Sequence, residues 1–146
     1  KNIKGGAELL SNLKRFGVAA DNEVKKARDA TAYDVQRRAI KLIQAPGSGR
    51  VYIRDAGSNL SRRHRASAPG EPPATDTGML ASSVAVEIQP SRAFVGTGLD
   101  YGARLEFGAM RVAARPWLRP ALEAAQPGYR DRLAKALQTA IKGVGK

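Results

Sequence analysis

Apolar side chains return at helical spacing through Leu9, Leu10, Leu13 and Phe16, and Gly17 follows where a helix is apt to stop. A short amphipathic helix is the first predicted element. Asp21 then suits the cap of a longer helix, whose stripe runs Val24, Ala27, Thr31, Val35, Ala39, Leu42 and Ile43 and ends before Pro46-Gly47. Val84, Val86 and Ile88 alternate with small or polar residues, Pro90-Ser91 makes a turn, and Ala93-Phe94-Val95-Gly96 returns, which predicts an antiparallel hairpin. Residues 100–107 predict one or two helical turns that bring Tyr101, Leu105 and, as a further candidate, Phe107 to the core, with Gly108 as their end. Pro116 suits the first turn of a last helix. Its stripe is Leu118, Ala121, Leu122 and Ala125, then Tyr129, Leu133, Leu137, Ala140, Ile141 and Val144. Pro127-Gly128 falls between the two halves and predicts a kink or two separate helices.

The stretch from Pro46 to Pro73 breaks this order. It is rich in Gly, Ser and Pro, and only Val51-Tyr52-Ile53 reads as a short edge strand or as the stem of a hairpin. Within it lies Arg62-Arg63-His64-Arg65, a cluster that gains little by packing on its own domain and is a candidate for ordering against a partner. The expected fold is therefore α+β: a small antiparallel sheet packed against long N-terminal and C-terminal helices, with an extended Gly/Pro/Arg-rich loop. One domain is expected over residues 1–146, with an arm at about 46–75.

Composition narrows the chemistry. The 146 residues carry 25 Lys plus Arg against 13 Asp plus Glu, a formal charge of +12, which favours nucleic acid, an anionic membrane or an acidic protein as partner. Part of that charge lines the second helix at Lys25, Lys26, Arg28, Arg37, Arg38 and Lys41, either a solvated face or a contact for phosphates and acidic side chains. No run approaches the roughly 18–20 apolar residues of a membrane span, and no secretory apolar segment opens the chain, so a soluble protein made in the cytoplasm is expected. With no cysteine there is neither a disulfide framework nor a thiolate nucleophile. The lone His64 sits among arginines, and no His or acidic cluster has the spacing of metal ligands, so neither metal nor cofactor is expected. Gly96-Thr97-Gly98 lacks the third glycine of a dinucleotide fingerprint and reads as a turn. No serine lies in a nucleophile elbow, and the chain is expected not to be an enzyme.

A succession of short motifs adds a more specific signal: Ser67-Ala68-Pro69-Gly70-Glu71-Pro72-Pro73, Asp76-Thr77-Gly78-Met79-Leu80-Ala81-Ser82-Ser83-Val84, Val95-Gly96-Thr97, Tyr101-Gly102-Ala103-Arg104-Leu105-Glu106-Phe107-Gly108, and Ala114-Arg115-Pro116-Trp117-Leu118-Arg119-Pro120-Ala121. In that order, over about residues 20–140, the chain resembles the tailed-bacteriophage tail-component family typified by gene product ten of phage HK-ninety-seven, which includes head-tail joining, neck, tail-completion and tail-terminator proteins. Two positions depart from the family's pattern: Ala109-Met110 replaces a small polar residue after the Glu-Phe-Gly element, and Pro127-Gly128 interrupts the usual long final helix. A structural virion protein without catalytic residues is what the resemblance implies. It would form a ring at the head-tail junction or tail end, a hexamer by preference or else a dodecamer, between adjacent connector and tail-tube proteins. Glu106 and Arg115 are expected to form a structural pair.

Two functions follow from these readings. In the first, the ring subunit docks through its arm, with Tyr52, Arg54, Arg62, Arg63 and Arg65 as partner contacts, and through Trp117 and Arg119, unless Trp117 belongs to the core. In the second, the basic helix face and arm bind nucleic acid without sequence preference, with affinity that falls steeply as salt rises. A connector around a DNA channel would combine both.

Overall fold

A computed structural model of the chain describes residues 5–54 and 62–144, except the side chains of Arg54, Arg62 and Val144. Two long helices dominate: α1 (Gly6–Ile43) and α4 (Leu118–Val144). Between them come the hairpin β1 (Val51–Arg54) and β2 (Arg62–Arg65), one helical turn α2 (Met79–Ser83), the hairpin β3 (Val84–Ile88) and β4 (Ala93–Thr97), and α3 (Asp100–Phe107). Each hairpin is a separate two-stranded antiparallel sheet. The architecture is α+β, with helices packed on a small sheet as expected.

Alternation in the sequence sets the phase of the second hairpin. Val84 is buried and Val86 half-buried towards the helices, while Ala85 and Glu87 face outwards, in a register from Val84 opposite Thr97 to Ile88 opposite Ala93. Across it lies α1, which contributes Val35, Ala39 and Ile43 to a core completed by Leu80, Ala81, Val84, Trp117, Ala121 and Ala125. The tightest packing runs between α1 and α4, where Ala27, Ala32 and Ala39 on one helix and Ala121, Ala125, Ala136 and Ala140 on the other are all buried. Small side chains let two backbones approach closely, and Arg132 ties them across the seam by reaching Thr31 Oγ1 at 3.3 Å and Asp34 at 3.6 Å.

Both long helices are more continuous than their sequences suggest. Gly17 does not end a helix, because its φ stays out of the left-handed region and α1 simply continues through it. A mid-helix glycine costs about 1 kcal/mol relative to alanine, little against a 38-residue helix stabilised by packing over its second half. Asp21 is not a cap either; it accepts from Lys25 at 2.6 Å, one turn on. Similar pairs join Lys26 to Glu23 and Arg37 and Arg38 to Asp34, so much of the helix's basic face is answered within the helix. Pro127 likewise lies inside α4 without dividing it. It removes one backbone donor on an exposed position, while buried alanines on either side hold the helix to α1.

Helix α4 starts at Leu118, just after Pro116 rather than on it. Its first donors are satisfied from another element. Glu106, buried at the end of α3, accepts from the backbone N–H of Trp117 at 2.7 Å, of Leu118 at 2.9 Å and of Arg119 at 2.9 Å. Pro120, next in line, has no N–H to satisfy. The expected pair of Glu106 with Arg115 is therefore replaced: the carboxylate is taken up by the helix start, and Arg115 instead donates to the Ser67 carbonyl at 3.1 Å. Gly108 ends α3 at φ 81, and a Cβ there would press on the Val112 carbonyl.

Replacing Glu106 by alanine strips one buried and two part-buried amides of their acceptor, and the expected loss is about 2–4 kcal/mol of folding free energy, read from the urea midpoint. Trp117→Ala should cost about 3–5 kcal/mol in the same assay, since its ring is 2% exposed.

Candidate assembly surface

The arm is a β-hairpin whose base is tightly fixed. Gly49 donates to the Ala66 carbonyl at 2.8 Å and Ala66 donates to the Arg50 carbonyl at 3.0 Å. Gly47 and Gly49 both lie so close to the backbone of Ala66 and Ser67 that a Cβ on either would overlap it. Glu71 clamps the two sides: its carboxylate accepts from the Ser48 backbone and hydroxyl and from the Ala68 amide. Gly70 donates to the Ala114 carbonyl at 2.9 Å, and Thr75 donates to the Ile43 carbonyl at 2.9 Å. These bonds hold Glu71 below the ordinary carboxylate pKa, the Ser48 hydroxyl first and the Ala68 and Ser48 amides after it.

Beyond that base the chain is cationic. Register pairs Val51 with Arg65, Tyr52 with His64, Ile53 with Arg63 and Arg54 with Arg62. Tyr52 is half exposed, and the Arg50 guanidinium stands 5.6 Å from its ring centroid, a cation–π contact. Arg63 and Arg65 are exposed and share a face with Val51 and Ile53. The structure thus brings Tyr52, Arg54, Arg62, Arg63 and Arg65 onto one hairpin, although residues 55–61 of the expected arm lie outside the described part. His64 comes within 3.9 Å of Asp76 and links β2 to the body.

Trp117 and Arg119 belong elsewhere, at the start of α4. The indole of Trp117 is in the core and donates to the Gly102 carbonyl at 3.4 Å, so this residue has no surface to offer a partner. Arg119 is exposed and donates to Glu123 at 3.0 Å. Two residues that the sequence leaves unremarked as contacts prove to hold the surface in place. Glu71 is the acid set among the prolines and glycines of the arm's return, and Glu106 supports the start of α4.

Apolar residues are distributed in an unusual way. The buried hydrophobic set among the described residues consists mainly of alanine, with Val35, Ile43, Leu80, Val84 and Trp117 as its only larger members. Leu9, Leu10, Leu13, Val18, Ile53, Met79, Phe107 and Ile141 are each more than half exposed, and Phe94 and Leu122 nearly so or at half. Leu9, Leu10 and Leu13 form one end of α1. Among the described residues no group of three or more His, Cys, Asp or Glu could hold a metal ion, and no helix is long and apolar enough to cross a membrane.

The sequence matches no known protein-family model, and comparisons with curated proteins and with solved structures return no match.

The clamp makes a testable statement about pH. Because Glu71 titrates lower in the fold than in the unfolded chain, its contribution is complete above about pH 4.5 and is lost as pH falls through the depressed folded value. In an NMR titration the Ser48 and Ala68 amides should therefore shift with a common midpoint below 4.5, and Glu71→Gln should abolish that transition.

Proposed function

We propose that this chain is a structural subunit of a tailed-bacteriophage particle, assembling as a ring at the head-tail junction or tail end and joining or completing the tail. The observation that carries the reading is how many large apolar residues lie outside a buried set made mainly of alanine: Leu9, Leu10, Leu13, Met79, Phe107 and Ile141 are each more than half exposed. Large apolar side chains left in water are the mark of a subunit whose burial is completed by neighbours. The motif succession from Ser67 to Ala121 and the α+β architecture support the same reading.

Ring closure makes such a subunit effective. A heterologous interface whose rotation closes repeats the same modest contact around the ring, and each added contact is effectively intramolecular. The fixed base of the arm presents Tyr52, Arg63 and Arg65 at a set place on each subunit, so the ring displays a regular circle of cations. That circle also favours a second reading, contact with nucleic acid without sequence preference, since Arg50 stands over the Tyr52 ring on one face of the hairpin and Arg63 and Arg65 lie exposed on the other. For a ring around a DNA channel the two readings coincide.

Deleting the gene from a phage or prophage that carries it, with complementation by the intact gene, tests the proposal by electron microscopy of lysates. DNA-filled heads without tails, or tails of abnormal length, are the expected result. Normal infectious particles would overturn the structural reading and leave the nucleic-acid reading to be tested by the salt dependence of binding.

A further inference from the structure

The two-residue turn Pro90-Ser91 fixes which backbone groups of the second hairpin are used. Gln89 and Arg92 exchange both hydrogen bonds, at 2.8 and 3.4 Å, so the alternation of an antiparallel ladder makes Glu87–Phe94 and Ala85–Gly96 the bonded pairs. The N–H and C=O of Ala93, Val95 and Thr97 therefore point away from β3. On the opposite edge the same phase turns the Val84 carbonyl outwards, where Gln36 covers it with a donor at 2.7 Å. Among the described residues no further strand pairs with β4. That edge opens on a groove floored by Ala32 and Val35 of α1 and walled by Leu118, Leu122 and Tyr129 of α4, formed by adjoining cavities of about 400 and 440 Å³.

We propose that this edge accepts strand β1 from a second copy of the chain, a deepening of the ring-subunit reading that rests on it. The phase of the arm, set by the Ala66–Arg50 bond, turns the N–H and C=O of Val51 and Ile53 out of their own ladder. The outer edge of β2 faces residues 44–47 and 74–75 of the body, which leaves β1 as the donor edge. Val51 and Ile53 are 43% and 56% exposed on one face and would cover Leu122, while Tyr52 on the other face would lie beside Phe94. The arm is cationic, with five arginines and one aspartate over residues 47–70, while the groove lining carries Arg28 and Arg119, each met by a neighbouring acid, Asp29 and Glu123, so charge there is close to balanced and the main-chain phase decides the fit. Main-chain pairing supplies the affinity and the alternate side chains supply the register. Because donor and acceptor edges are different surfaces, repetition runs head to tail, as ring closure requires.

The chain has no cysteine of its own, so introduced thiols report the pairing cleanly. Tyr52→Cys and Phe94→Cys, made on separate chains, mixed and oxidised, should give a 52–94 disulfide dimer. Exposed Tyr33→Cys mixed with Phe94→Cys serves as the control and should not cross-link. Val95→Pro removes an N–H that β3 does not use, though it also gives up part of the valine's packing on the core; it should lower the melting of the isolated chain only modestly and weaken multimer formation by about tenfold or more. Ile53→Pro should do the same from the donor side if Val95→Pro melts early. Cross-linking no better than the control, or multimers that persist in both proline variants, would overturn the pairing while leaving the ring reading intact. A wild-type chain that forms no multimer in solution or in particles would overturn both.

Discussion

A helix that starts in the interior brings unpaired backbone donors with it, and the rest of this structure depends on how α4 meets that demand. Glu106 reaches from the end of α3 to three successive amides, and proline occupies the fourth position. The negative charge also sits at the positive end of the helix dipole, where it is least costly to bury. This single carboxylate sets where α4 begins and therefore which of its faces meets α1. It also determines where Trp117 lands in the core. The alanine seam between the two long helices follows from that placement, because small residues face one another only if the start of α4 is correct.

Much of this was legible in the sequence where the signal is local. The hairpin of β3 and β4, the short α3 and the stop at Gly108 follow from alternation, a tight turn and a glycine with positive φ, all of which act within a few residues. The readings that changed concern signals for a boundary that the helices run through. Pro127 is overridden by the buried alanines that hold α4 to α1 on either side of it, while Gly17 and Asp21 lie in the exposed first half of α1, where a glycine costs little and Asp21 pairs with Lys25 instead of capping. Glu106 shows the same limit from the other side. An acid near an arginine reads as an ion pair, and only the fold reveals that backbone amides eleven to thirteen residues on compete for it successfully.

The candidate surface divides in the same way. Clustered arginines on a Gly- and Pro-rich segment mark the arm from composition alone, and Tyr52 with its hairpin stem was one of two open readings. Trp117, by contrast, could be an anchor or a core residue on sequence grounds, since an aromatic side chain serves either. What decides is the carbonyl of Gly102 beside the indole and the core cluster of α1 and α2 residues that Trp117 joins. The clamp by Glu71 was beyond sequence reading, because its three donors come from both sides of the arm.

That clamp has a consequence for how such a protein can change over time. With Ser48, Ala68 and Glu71 closing the base, and Gly47 and Gly49 laid flat against the opposite strand, the exposed part of the arm is largely decoupled from the core, although His64 still meets Asp76 on the body. Substitutions at exposed Val51, Tyr52, Ile53 or Arg63 therefore draw little on the stability of the body, whereas changes at Glu106, Trp117 or the alanine seam draw on it directly.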